Sequence, residues 1–268
     1  MVSRKSALPE RHRPGAIHAV RWVSVAAVCV ALFSILAVTL IYTGPSVKWD
    51  VGIAAAVQSM RNPALDAMMI TATYLCSWQV VVTGAVLTTL FFFARRMWFA
   101  AAAMIISILG NVLIVGGIKS VMHRVRPDQT HALLPASGST FPSGHTFSAF
   151  AFYGLLGLIY VGHGQSTRHP RLVGSLTVAL IAAVGTSRIY VGAHWPSDVL
   201  GSTFLGSGWL ALVGLVLAAI RERMPASSSQ TSNRTARRWA VLLVLLWAVF
   251  IVVYAFIYSP AAPSAAIA

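Results

Sequence analysis

The chain has 268 residues, of which 57% are hydrophobic and only 10% charged. Its mean hydropathy is +0.75, whereas soluble domains carry about 25% charged residues, so a soluble globular class is excluded and a membrane class indicated. The net charge of +14 could suit nucleic acid, but the basic residues fall between apolar runs, a pattern of membrane topology and not of a nucleic-acid groove.

A spanning helix needs about 20 mainly apolar residues. After a basic tail, residues 1–21, the run Trp22–Tyr42 makes the first span. It is too long for the apolar core of a signal peptide, about 7–15 residues, and reads as an uncleaved anchor. The tail before it reads as an orientation signal. Val51–Met60 is too short to cross and is expected on the outer interface. Ala67–Ala94 and Met97–Ile118 are the second and third spans. His145–Val161 and Leu172–Thr186 are shorter, but the polar turn His163–Arg171, with Pro170, joins them as a helical hairpin. Val199–Ile220 is the sixth span. A polar, Ser-rich stretch ending at Arg238 reads as a cytoplasmic linker, residues 221–238, and Trp239–Tyr258 is a seventh span within 239–268. The fold class is therefore all-α, a polytopic membrane helical bundle. Cys29 and Cys76 lie inside apolar runs, as inert core residues and not as a disulfide or metal pair.

Charge placement supports seven crossings. With the N-terminus in the cytoplasm, fourteen Lys and Arg fall inside and six outside, as the positive-inside rule requires. Trp22, Trp98 and Trp239 each open a span beside basic residues, as interfacial anchors do.

Polar residues that cost energy near a bilayer are the informative ones. Three clusters fall at the outer ends of spans. The first is KSVMHRVRP, Lys119 to Pro127. Lys119 and Arg126 are two helical turns apart and share a face if the helix continues, and Pro127 marks its end. His123 and Arg124 read as flank residues, although they and the loop Asp128–Phe141 are also candidates for substrate discrimination. The second cluster is FPSGHTF, residues 141–147. Ser143 suits an N-cap, Gly144 permits close approach to the backbone, and a helix N-terminus favours anions. The third is SRIYVGAHWPSD, Ser187 to Asp198. Pro196 opens the sixth span, so Asp198 sits in its first turn and can reach His194, fixing the imidazole's tautomer.

Each cluster alone is also what an ordinary helix flank or cap supplies. Together they offer two histidines, one carboxylate, three cations and a helix N-terminus, a set able to bind phosphate and transfer it. Either histidine could attack phosphorus while the other protonates the leaving oxygen. Asp198 alone is a poor basis for a magnesium site, so the expectation is metal-free chemistry with no cofactor.

In order and internal spacing the clusters resemble the signature of the type 2 phosphatidic acid phosphatase (PAP2) superfamily: K-x6-R-P, P-S-G-H and S-R-x5-H-x3-D. The matching residues are Lys119, Arg126 and Pro127; Pro142, Ser143, Gly144 and His145; Ser187, Arg188, His194 and Asp198. The resemblance covers about residues 60 to 220. It implies a six-helix core, placed within a phosphatase domain at 22–220, with the seventh helix as an addition. It implies His194 as the nucleophile that forms a phosphohistidine, Asp198 as its orienting partner and His145 as general acid. It implies Lys119, Arg126, Arg188, Ser143 and the Gly144 backbone as phosphate ligands.

The expected function is hydrolysis of a lipid phosphate or diphosphate (phosphatidate, phosphatidylglycerol phosphate, sphingoid phosphate or polyprenyl diphosphate) on the outer face of a cell membrane. A phosphotransferase with the same site and a non-catalytic lipid-phosphate binding or transport protein are the alternatives. The complete histidine–aspartate set argues against binding alone. A soluble vanadate haloperoxidase, which shares the pattern, is disfavoured by the spans.

Overall fold

Nine helices follow one another along the described part of the chain. The structure is a computed structural model and describes residues 14–44, 47–162, 169–223 and 251. The linker from Pro225, and all of the expected seventh span except residue 251, lie outside the described residues, as do residues 1–13. The helices are α1 (Pro14–Thr43), α2 (Lys48–Gln58), α3 (Pro63–Tyr74), α4 (Trp78–Ala94) and α5 (Trp98–Met122). Then come α6 (Gly144–Ala149), a π turn (Phe150–Gly154) and α7 (Leu155–Gly162), which form one continuous span from Gly144 to Gly162. The last two are α8 (Pro170–Tyr190) and α9 (Pro196–Arg223).

Local chemistry sets several helix ends. Asn62 caps α3 by accepting from the Leu65 N–H at 3.0 Å, with Pro63 at the first position. Ser143 caps α6 by accepting from the Thr146 N–H at 3.4 Å, as expected from its sequence. Proline opens α8 and α9.

Among the described residues, five helices are long and apolar enough to cross a membrane, and α3 with α4 makes a sixth as a bent pair. All six expected spans in the described residues are thus present, and both short ones are full helices. The second span, Ala67–Ala94 in the sequence, is built from two helices, α3 and α4, which meet at a 47° bend. Carbonyls freed at the break find donors: Tyr153 Oη donates to Leu75 O at 2.7 Å and Ser77 Oγ to Tyr74 O at 3.0 Å. Without such partners a break inside a membrane would be costly.

The stretch too short to cross, Val51–Met60, falls mostly in helix α2, which packs against α8 and α9 and buries Asp50 completely. The helix carrying Lys119 does not continue to Arg126: it stops at Met122, and His123 turns into the left-handed region at φ 42°. Arg126 therefore enters the site from a loop.

Helix α1 lies along α9. A Cβ on Gly208 would stand 3.2 Å from Cys29 Cβ, so glycine there lets the two backbones approach. Between α4, α5, the π turn and α8 lies a core in which Met104, Phe152, Leu155 and Val184 are buried. Large apolar residues such as Leu113, Val178 and Val216 face outward, the stable arrangement against acyl chains and a liability in water. Cys76 is buried, Cys29 half-buried, and neither forms a disulfide.

Candidate active site

The three clusters converge at one end of the bundle. Lys119 comes from the last turns of α5, Arg124, Arg126 and Thr140 from the loop that follows, and Ser143 to His145 from the start of α6. Arg188 comes from the last turn of α8, His194 from the short turn after it, and Asp198 from the first turn of α9. Backbone bonds stitch these segments together. The Ser143 N–H donates to Asp198 O at 3.3 Å, Thr140 N–H to Arg124 O at 2.9 Å, and His194 N–H to Arg188 O at 3.1 Å.

At the centre, His194 Nδ1 lies 3.4 Å from Asp198 Oδ2, as the four-residue spacing predicts. Thr140 is closer. Its hydroxyl donates to Asp198 Oδ2 at 2.5 Å and stands 3.0 Å from His194 Nδ1. A hydroxyl that gives its proton to Asp198 has only lone pairs left for His194. Nδ1 then carries the imidazole proton and Nε2 keeps a free lone pair, the tautomer a nucleophile needs. The Trp195 N–H adds a third bond to Asp198 Oδ2 at 2.7 Å. Asp198, Thr140 and Ser143 are fully buried and His194 almost so. Burial pushes the His194 imidazole down to about 4, with the hydrogen bond and charge of Asp198 pulling the other way.

The cations differ in how they are engaged. Lys119 Nζ donates to Ser139 O at 2.7 Å. Arg126 grips the same loop, from Nε to Gly138 O at 3.0 Å, and reaches Ala193 O from a terminal nitrogen at 2.6 Å. Burial lowers the pKa of Arg126, with Asp198 opposing. Arg188 is 5% exposed, and its Nε is buried with no hydrogen-bond partner. A buried guanidinium N–H without an acceptor is expensive, and a phosphate oxygen would satisfy it. His145 lies within charge-interaction range of Arg188, His194, Lys119 and Arg126. Gly144 opens α6 with nothing nearer than Val115 Cγ1, at 3.8 Å, to the place a Cβ would take.

The residues expected at the site are thus brought to one end of the bundle, and four more around them were not read from the sequence as partners of His194 and Asp198. Thr140 is one. Arg124, read as a flank, is buried and pairs with both Asp50 and Asp198. Ser197 and Asp50 complete that group. Among the described residues no cluster of three His, Cys, Asp or Glu is placed to hold a metal ion.

The PAP2 superfamily model matches residues 96–222, the stretch that supplies most of these side chains. Phosphatidylglycerophosphatase B of Bacillus subtilis is 30% identical over 180 residues, covering 67% of this chain and 88% of that protein. The chain belongs to the PAP2 superfamily. It is a multi-pass membrane phosphatase. The lipid A 1-phosphatase of Rhizobium etli is 33% identical over 119 residues, 40% of this chain and 45% of that one. The crystal structure of a transmembrane PAP2 type phosphatidylglycerolphosphate phosphatase from Bacillus subtilis superposes with a TM-score of 0.66 at 27% identity. It covers 75% of this chain and 98% of the other. The all-helical bundle expected from the sequence is therefore the family fold.

Proposed function

We propose that this PAP2 phosphatase hydrolyses a lipid phosphate or diphosphate through a phosphohistidine on His194, on the extracytoplasmic face of the membrane. The observation that carries the reading is the hydrogen-bonded group Asp198–Thr140–His194 beside the buried, unpartnered Nε of Arg188. Nε2 of His194 attacks phosphorus, and the bond from phosphorus to the lipid oxygen breaks. That oxygen takes a proton from His145. Asp198 stabilises the positive charge the ring acquires. Lys119, Arg126, Arg188, the Ser143 hydroxyl and the Gly144 N–H hold the phosphoryl oxygens as charge builds on them. Water, giving a proton back to His145, then attacks phosphorus and cleaves the phosphorus–nitrogen bond, releasing phosphate and returning both histidines to their starting forms.

Both Asp198 oxygens are engaged by Arg124, Thr140 and the Trp195 N–H, which favours a metal-independent reaction. The site opens at the mouths of spanning helices, where a substrate with its tail in the bilayer arrives directly. Relatives named for phosphatidylglycerophosphate, lipid A and, in Sulfolobus acidocaldarius at 28% identity over 120 residues, undecaprenyl diphosphate make these the first substrates to try. The fourteen-to-six split of basic residues supports the outward orientation.

Purified protein should release phosphate from a panel of lipid monophosphates and diphosphates in excess chelator. Release only with added magnesium would remove the metal-free chemistry, and binding without release would favour the non-catalytic alternative. Cysteines placed near Gly138 should react with an impermeant reagent on intact cells. Protection there, with labelling near Gln230, would invert the topology.

A further inference from the structure

The charged side chains beneath His194 do not balance. Arg124 donates to Asp50 Oδ2 at 2.7 Å and to Asp198 Oδ1 at 2.5 Å, so one guanidinium stands between two carboxylates. Ser197 closes the group. Its N–H donates to Asp50 Oδ1 at 2.8 Å and its hydroxyl to Asp50 Oδ2 at 2.6 Å, while it accepts from Arg124 at 2.7 Å. Asp50, Ser197 and Asp198 are 0% exposed and Arg124 is 6% exposed. Asp50 arrives on α2, outside residues 96–222 and outside all three sequence clusters.

We propose that Asp50 is a positioning residue of the reaction: it neutralises Arg124 and so leaves Asp198 its negative charge for His194. Buried charges interact strongly, and a buried cation takes whatever counter-ion it has. With Asp50 present, Arg124 divides its donors between two carboxylates. Without it, Asp198 is the carboxylate left to Arg124 among the described residues. The charge that should stabilise the His194 imidazolium is then drawn to the guanidinium on the opposite oxygen. The step affected is formation of the phosphoenzyme, when His194 gains positive charge, and not the binding of substrate by Lys119, Arg126 and Arg188. This role rests on the reading of His194 as nucleophile.

Asp50 also holds the Ser197 N–H, one of the unpaired donors in the first turn of α9, so a purely structural role must be separated. Asp50→Asn keeps the shape and an acceptor for that N–H while removing the charge. The experiment compares full-length wild type, Asp50→Asn, Arg124→Gln and the double variant, purified in detergent and supplied with a lipid phosphate. Asp50→Asn should lower kcat at least about tenfold with KM nearly unchanged. Adding Arg124→Gln should then restore kcat, because removing the cation returns the charge of Asp198 to His194.

A double variant slower than Asp50→Asn, or a change confined to KM, overturns the proposal. If Asp50→Asn does not fold, the double variant decides alone: kcat within about tenfold of wild type upholds the proposal and a greater loss overturns it. Trapping of phosphohistidine on wild type by an alkaline detergent quench, which spares the acid-labile phosphorus–nitrogen bond, separates the two ideas. Absence of label on His194 removes the nucleophile, whereas label accompanied by purely additive losses removes only the role of Asp50.

Discussion

Thr140 Oγ1 lies 3.0 Å from His194 Nδ1, nearer than the 3.4 Å that separates this nitrogen from Asp198 Oδ2. The aspartate therefore acts on the histidine through the threonine as much as directly. Replacing Thr140 by Val removes the hydroxyl and keeps the volume. A hydrogen bond to a charged group contributes about 1.5–3 kcal/mol. Expressed in the transition state, that loss is a fall in kcat of about 10- to 100-fold. Thr140→Ser should retain most activity. Steady-state phosphate release measures both, and equal rates for Val and wild type would make Thr140 a packing residue only.

His194→Ala should reduce turnover by at least about three orders of magnitude, since it removes the lone pair proposed to attack phosphorus. Phosphate or vanadate should still bind, because Lys119, Arg126 and Arg188 remain. Titration of the variant with vanadate, followed by thermal shift, reads binding apart from turnover. Normal turnover would move the nucleophile elsewhere.

Arg188 gives a prediction with opposite signs for stability and function. Its Nε is buried without a partner, at a cost of about 1–3 kcal/mol. Arg188→Met should raise Tm in phosphate-free buffer and abolish activity. Vanadate should stabilise the wild type and leave the variant's Tm unmoved. A variant less stable than wild type in the absence of anion would show that Arg188 is already satisfied.

The pH profile follows from the burial of His194. The proposed attack needs a neutral ring, and burial holds its pKa near 4 and not 6.5. The neutral form dominates above the folded pKa, so activity is full above it and falls as pH drops through it. The acid limb of kcat/KM for the free enzyme should lie nearer pH 4 than pH 6.5. Asp198→Asn removes groups that raise the His194 value, so it should lower the plateau and move the limb further to acid. A wild-type limb near 6.5 would assign that titration to a different group.

Residues at fixed spacing within one segment were legible from sequence. His194 and Asp198 are four apart across the opening of α9, and Ser143 caps α6 through a local pattern. Residues tied by long-range contacts were not. Arg124 sits 74 residues after Asp50 and 74 before Asp198. At the end of a membrane helix a basic residue resembles every other flank, and only folding brings its two carboxylates to it. Asp50 was hidden because α2 is too short to register as a span. The bend between α3 and α4 escaped notice because Leu75 and Cys76 are ordinary apolar residues, and the donor that satisfies the break, Tyr153, belongs to another helix. Hydropathy records how much of a segment is apolar and not where its axis turns.

The π turn at Phe150–Gly154 bears on how this span is compared and engineered. A π turn holds one residue more than the α turn it replaces, and one residue corresponds to about 100° of rotation. The half of the span that carries Gly144 and His145 is thus out of rotational phase with the half that begins at Leu155. An alignment that threads the span onto an uninterrupted α-helix will misassign the inward-facing positions on one side of Phe150. A single-residue deletion in this turn would restore the regular period and leave both halves facing as they do now, whereas one elsewhere in the span would rotate His145 away from the other clusters, without changing one residue of the signature.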